Sequence, residues 1–176
     1  MSFSIRMQLF AVLQVVLTAL LTYFFVTNEY RDLSQQNLDA LESFLIEQKQ
    51  QELKNYTTIA TSAIDHIYDV ENEYDAKRQV AQIISRLIYN NNDGYFFVYD
   101  NQGTNIVHPT EPYRVGQNYW DLVNDKNEPT IQILIGNAQN GGDFYRYPWN
   151  QLTTTAATEK LSYSALLPQW QWMIGT

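Results

Sequence analysis

Residues 93–108 read DGYFFVYDNQGTNIVH. Tyr95 to Tyr99 is aromatic and β-prone throughout, the composition of a strand. Asp100-Asn101-Gln102-Gly103 is turn chemistry, and Thr104 to His108 is the return strand of a hairpin. Alternate residues of a strand share a face. Tyr95, Phe97 and Tyr99 therefore look one way, and Phe96 and Val98 the other. The chain before this hairpin has helical texture, and most of the chain after it has strand texture. Helices succeeded by a run of strands argue α+β and against a parallel sheet.

Downstream, Pro109 to Asn127 is a long loop with two prolines and a Trp. Thr130 to Ala138 has the pattern of a short helix, with Ile131, Leu134 and Ile135 on one side. Three further strands are expected at Phe144 to Trp149, Lys160 to Leu166 and Gln169 to Gly175, separated by turns at Asn150 to Ala156 and at Pro168. The result is five antiparallel strands with one long crossing between the second and third. Tyr145, Tyr147 and Trp149 share one face, and Phe144 and Arg146 the other. Lys160, Ser162 and Ser164 share a face, against Leu161 and Tyr163.

Upstream, Asn28 to Val70 contains no Gly and no Pro. Apolar residues recur at Leu38, Leu41, Leu45, Tyr56, Ile59, Ala63, Ile67 and Val70, the three-four spacing of a helix. Forty-odd residues of helix reach ~60 Å. The Gln-rich part is expected to pair with a second copy or to stand partly free, and a homodimer through the long helix is the expected assembly. Ala76, Val80, Ile83, Ile84, Leu87 and Ile88 predict a second, shorter helix, stopped by Asn90-Asn91-Asn92-Asp93-Gly94.

Leu9 to Val26, LFAVLQVVLTALLTYFFV, holds eighteen residues without a charge. At ~1.5 Å per residue it spans roughly 27 Å, close to the thickness of a hydrocarbon core. Its bulky end, Thr22 to Val26, is unlike a signal-peptide cleavage site. An uncleaved membrane helix is expected, with the amino end cytoplasmic and the acidic remainder outside. Gln14, Thr18 and Thr22 lie four apart and suggest polar contacts with another helix. The expected organisation is thus residues 1–27, cytoplasmic end and membrane helix; 28–92, long helix and second helix; 93–176, the sheet, cut within its last strand.

The 176 residues carry a net charge of −8 and no cysteine. A phosphate-backbone binder needs a basic footprint, so no nucleic-acid partner is expected. Thiolate chemistry and disulfides are excluded. Two histidines, His66 and His108, cannot build a multi-His metal site, and no nucleotide-loop, nucleophile-elbow or zincin motif occurs. Neither enzymatic activity nor a cofactor is expected. The strand half stands out, where one sheet face collects rings with hydroxyl ends, His108 and Lys160. Converging polar groups in an apolar pocket are how small-molecule sites are built. Arg114 and Lys126 in the long loop read as solvated, and Glu111 and Asp121 as surface or cap residues.

Several strings in order resemble a known family: DGYFFVYD (93–100), NIVHP (105–109), GQNYWDL (116–122), GGDFYRYPW (141–149), KLSYSA (160–165) and PQWQWMIGT (168–176). Together they resemble a type-2 single Cache domain over about residues 30–176. These are extracytoplasmic sensor modules of bacterial chemoreceptors, histidine kinases and related receptors. The resemblance implies a PAS-like five-stranded antiparallel sheet backed by a long amino-terminal helix, with a pocket for a small organic acid such as acetate, propionate or pyruvate. The positions it implies as pocket lining are Phe97, Tyr99, His108, Tyr147, Trp149, Lys160 and Tyr163. A chemoreceptor-type sensor in the bacterial inner membrane is the first expectation. A histidine-kinase sensor, or an anchored module that binds a protein or glycan, is the alternative.

Overall fold

The structure is a computed structural model that describes residues 3–68, 72–149 and 158–176. Helix α1 covers Phe3–Ile64. Its residues up to Gln48 form one unit, and Lys49–Thr176 forms a second, compact one. In the first unit, Phe10, Leu13, Val16, Leu20 and Phe24 are exposed, and the helix is long and apolar enough to cross a membrane. The Thr18 hydroxyl donates to the Gln14 carbonyl and that of Thr22 to the Thr18 carbonyl, both at 2.9 Å. These two hydroxyls thus have partners inside the helix itself.

The compact unit is α+β. After α1, a single 3-10 turn at Asp65–Ile67 leads towards α2, Glu73–Ile84. Asn72 caps α2, its side-chain oxygen accepting from the Tyr74 and Asp75 amides, and Glu73 and Asp75 favour the positive end of the helix dipole. The helix ends at Ile84, short of the Leu87 and Ile88 that its apolar pattern includes. Ile88–Tyr89 (β1) pairs instead with Gly94–Tyr95 (β2) around Asn90 and Asn91, both in the left-handed region. Gly94 is needed here, because a Cβ would overlap the Tyr89 ring.

The main sheet is built from β3 (Phe97–Tyr99), β4 (Asn105–Val107), β5 (Asp143–Trp149), β6 (Thr158–Leu167) and β7 (Trp172–Gly175). The five strands are antiparallel, in the spatial order β4-β3-β7-β6-β5. The long crossing from β4 to β5 contains α3, Thr130–Gln139. The turn expected at 150–156 lies outside the described residues.

Each face of the sheet carries its own core. On one face Phe96, Val98, Val107, Leu167, Trp172 and Ile174 pack with Ala60 and Ile64 of α1 and Val80 and Ile84 of α2. On the other, Tyr95, Phe97, Tyr99, Tyr147 and Met173 pack with Ile131, Leu134, Ile135 and Ala138 of α3. The first core is mainly aliphatic where it meets the helices, while on the second face the sheet contributes mostly rings and the helix supplies the aliphatic residues. Gly175 pairs with Phe97 across β7 and β3, and a Cβ there would overlap the Phe97 ring. A glycine on one strand thus makes room for a ring on the α3 face of the sheet.

Candidate functional site

Register places Lys160 directly opposite Tyr147, with Ser162 opposite Tyr145, so these groups share the α3 face of the sheet. The Lys160 Nζ donates to the Tyr95 hydroxyl at 3.1 Å and stands 4.3 Å from the Tyr95 ring centroid, 4.8 Å from Phe97 and 5.8 Å from Trp149. These are cation–π distances. Burial opposes the ammonium charge, while Tyr147, Tyr95 with its hydrogen bond, and Tyr89 together favour it, and its pKa lies above the ordinary lysine value. Among the described residues no carboxylate forms an ion pair with it. A cleft of about 450 Å³ opens beside Lys160, bounded by Tyr89, Tyr95, Trp149, Glu159 and Thr176. At its rim Glu159 is paired with Lys126 and Arg146.

His108 is buried against Tyr95 and stacked on Phe97, with ring centroids 5.3 and 6.3 Å away. Burial, reinforced by the nearby charges of Lys160 and Arg114, pushes its pKa down from 6.5 to about 3. The ring is therefore neutral at pH 7. Its Nε2 lies 3.3 Å from a Glu111 carboxylate oxygen and its Nδ1 3.4 Å from the Thr110 hydroxyl. The consistent assignment has Nε2–H donating to Glu111 and Nδ1 accepting from Thr110.

Glu111 and Arg114 are not surface residues. Their side chains are 7% and 13% exposed. The Arg114 Nε–H donates to Glu111, and its guanidinium lies 4.7 Å from the Tyr119 ring centroid and 5.1 Å from that of Trp149. Its Nη1 is buried with no hydrogen-bond partner among the described residues. A 3-10 turn at Pro112–Arg114 returns Arg114 to Glu111, and Glu111 in turn reaches His108, so the three groups meet on one side of the loop. The H-x-x-E-x-x-R spacing was the available signal. Loops carry no hydrophobic period, so nothing local distinguished this spacing from chance.

Of the seven residues that the family resemblance singled out, Phe97, Tyr99, His108, Tyr147, Trp149 and Lys160 lie in this aromatic layer or at its edge. Tyr163 does not. One residue along β6 from Ser162, it faces the other side, where its ring packs on Phe144 and lines a groove with Thr57, Thr61 and Tyr68 of the helical side. Tyr95, Arg114 and Glu111 are further groups in contact with this layer that the set lacks.

Residues 45–176 match the family model Single Cache domain 2. The chain is 38% identical over 168 residues to the sensor histidine kinase MctS of Rhizobium johnstonii, covering 94% of this chain and 36% of that protein. It is 28% identical over 138 residues to the methyl-accepting chemotaxis protein CtpM of Pseudomonas aeruginosa, covering 75% and 24%. The chain thus spans about a third and a quarter of the length of these relatives. A crystal structure of a methyl-accepting chemotaxis protein from Vibrio parahaemolyticus aligns with a TM-score of 0.67 and 33% identity over 74% of this chain and 88% of that one. A Cache chemosensory domain described for carboxylic acid recognition shares the fold, with a TM-score of 0.69 and 23% identity over 74% and 92%.

The buried, neutral His108 has a consequence for stability. The unfolded chain protonates this residue as pH falls through about 6.5, and the folded chain does not until about pH 3. Between those values the unfolded state binds more protons, so the contribution is complete above about pH 6.5 and is lost as pH drops. The slope reaches about 1.4 kcal/mol per pH unit. NMR of the imidazole is expected to show a neutral Nε2–H tautomer from about pH 8 to about pH 5. A His108 midpoint near its ordinary value would contradict this placement.

Proposed function

The chain belongs to the Single Cache domain 2 family, a family of sensing, non-enzymatic domains, and on that premise we propose that it is the extracytoplasmic sensor region of a membrane-anchored bacterial receptor for a short carboxylic acid. The observation that carries this reading is Lys160. A charged ammonium held among three rings, hydrogen-bonded to the Tyr95 hydroxyl and paired with no acid among the described residues, is a cation prepared for an anion that comes from outside the chain. The Tyr147 and Ser162 hydroxyls, 3.1 Å apart, supply neutral polar groups on the same face. Phe97, Tyr99 and Trp149 supply apolar walls, and His108 completes the wall as a neutral ring rather than as a charge.

The related solved domain described for carboxylic acid recognition supports the ligand class. The receptor type is argued from the relatives: MctS matches 94% of this chain, its amino-terminal helix included, which favours a histidine-kinase output over the chemoreceptor output expected first. The apolar run in α1 serves as the anchor, with the compact unit on the outer side of the inner membrane. Exposed Leu38, Leu41 and Leu45 on α1 are the surface for a second copy.

Acetate has four heavy atoms, so a ceiling of ~1.5 kcal/mol per atom limits it to about 6 kcal/mol, or tens of micromolar at best. Isothermal titration of the chain in detergent micelles with acetate, propionate, pyruvate and lactate is expected to give saturable binding of at least one acid. Lys160→Met keeps most of the stem packing and removes one charge-assisted hydrogen bond, and should weaken that acid by about ten- to a hundredfold. A folded sample that binds none of the four, or a Lys160→Met chain of unchanged affinity, counts against the reading. The anchor is checked separately. The intact chain should stay with membranes through alkaline carbonate extraction, and a Leu41→Cys chain should cross-link to a second copy there. Release of unprocessed chain into the supernatant would contradict the anchor.

A further inference from the structure

The aromatic layer that faces α3 holds two cations. Lys160 Nζ lies 5.8 Å and Arg114 Cζ 5.1 Å from the same Trp149 ring centroid, so the two charges are no farther apart than those distances combined. Both oppose protonation of the buried His108 imidazole, which is stacked on Phe97 and neutral. Arg114 is committed to Glu111 through its Nε–H, while its Nη1 is buried and unpartnered among the described residues and is left to donate to an oxygen from outside the chain. Glu111 is buried, and the cation beside it is Arg114, because His108 at 3.3 Å carries no charge. Its other neighbour is the Tyr113 hydroxyl, which donates to it at 3.1 Å. Of the other charged groups near this layer or lining the cavities beside it, Glu128 is held by Tyr145 and Asn124, Glu159 is paired with Lys126 and Arg146, Lys49 is paired with Glu52, and Asp93 and Asp125 are exposed to water.

The balance of charge around the rings is then one net positive. A ligand with one negative charge brings the layer to neutrality. A ligand with two leaves a surplus negative charge among rings that cannot solvate it. Building on the carboxylate reading above, we infer that Glu111 is a specificity-determining residue: by neutralising Arg114 it sets the accepted ligand charge at minus one, so that short monocarboxylates bind and dicarboxylates of similar size are refused. Remove that carboxylate and the layer carries two positive charges and accepts a dianion.

Pyruvate and malonate, similar in size and one charge apart at about pH 7.5, are the probes. Each is titrated calorimetrically into the full chain in detergent micelles, with folding verified by circular dichroism. The wild-type chain should bind pyruvate at least about tenfold more tightly than malonate. Glu111→Gln should erase or reverse that preference, and adding Arg114→Gln to it should restore the preference at lower affinity, since the net charge returns to its original value. Glu111→Ala is the second neutral variant should the glutamine variant not fold. A preference for pyruvate that survives the loss of the carboxylate overturns the inference and reduces Glu111 to a packing role. Equal binding of both acids to the wild-type chain, still dependent on Lys160, overturns the inference while the sensor reading stands. No binding of pyruvate, malonate or any acid of the earlier panel removes both.

Discussion

A lysine ammonium held 3.1 Å from the Tyr95 hydroxyl and over the rings of Tyr95, Phe97 and Trp149 is costly to place in a layer of rings unless its surroundings supply negative potential. The rest of the face is arranged to do so. The rings present their electron-rich faces, His108 is neutral, and the Arg114 charge is balanced by Glu111. The same alternation that points Lys160, Ser162 and Ser164 towards this face points Ala165 and Leu167 towards α1 and α2. One face of the sheet can therefore be a cohesive core against the helices, leaving the other free to carry charge.

The two faces are joined at the end of β7. The Thr176 hydroxyl donates to the Tyr95 carbonyl at 3.2 Å and contacts the Tyr89 hydroxyl, and the Tyr89 ring lies 4.5 Å from that of Tyr56 on α1. Tyr95, whose own hydroxyl accepts from Lys160, is thus linked to the helix through Thr176, Tyr89 and Tyr56. Contiguity by itself transmits nothing. A ligand shifts a helix only through a difference in its affinity for two arrangements, and this chain of contacts is where two arrangements would have to differ.

The regular half of this architecture was legible and the irregular half was not. The aromatic run at Tyr95 to Tyr99 and the alternation at Lys160 to Ser164 announce sheet faces because a two-residue period admits few readings. That period also separates Tyr163 from Lys160, although the family resemblance grouped them. The early end of α2 is a tertiary effect: Ile88 fits the helical stripe, yet pairing of Ile88 and Tyr89 with Tyr95 and Gly94 satisfies their backbone instead. Arg114 and Glu111 sit in a loop, where polar residues at proline-rich turns ordinarily face water. Their burial depends on Tyr119 and Trp149 arriving from other parts of the chain, which no local pattern records.

The central claim is that an anion sits on the α3 face of the sheet, at Lys160. The most direct test is a structure of the chain determined with a monocarboxylate that it binds. The account predicts a carboxylate oxygen about 3 Å from the Lys160 Nζ, between the rings of Tyr95 and Trp149. An acid bound instead in the groove of Thr57, Thr61 and Tyr163 on the opposite face, with Lys160 still turned onto Tyr95, would contradict it.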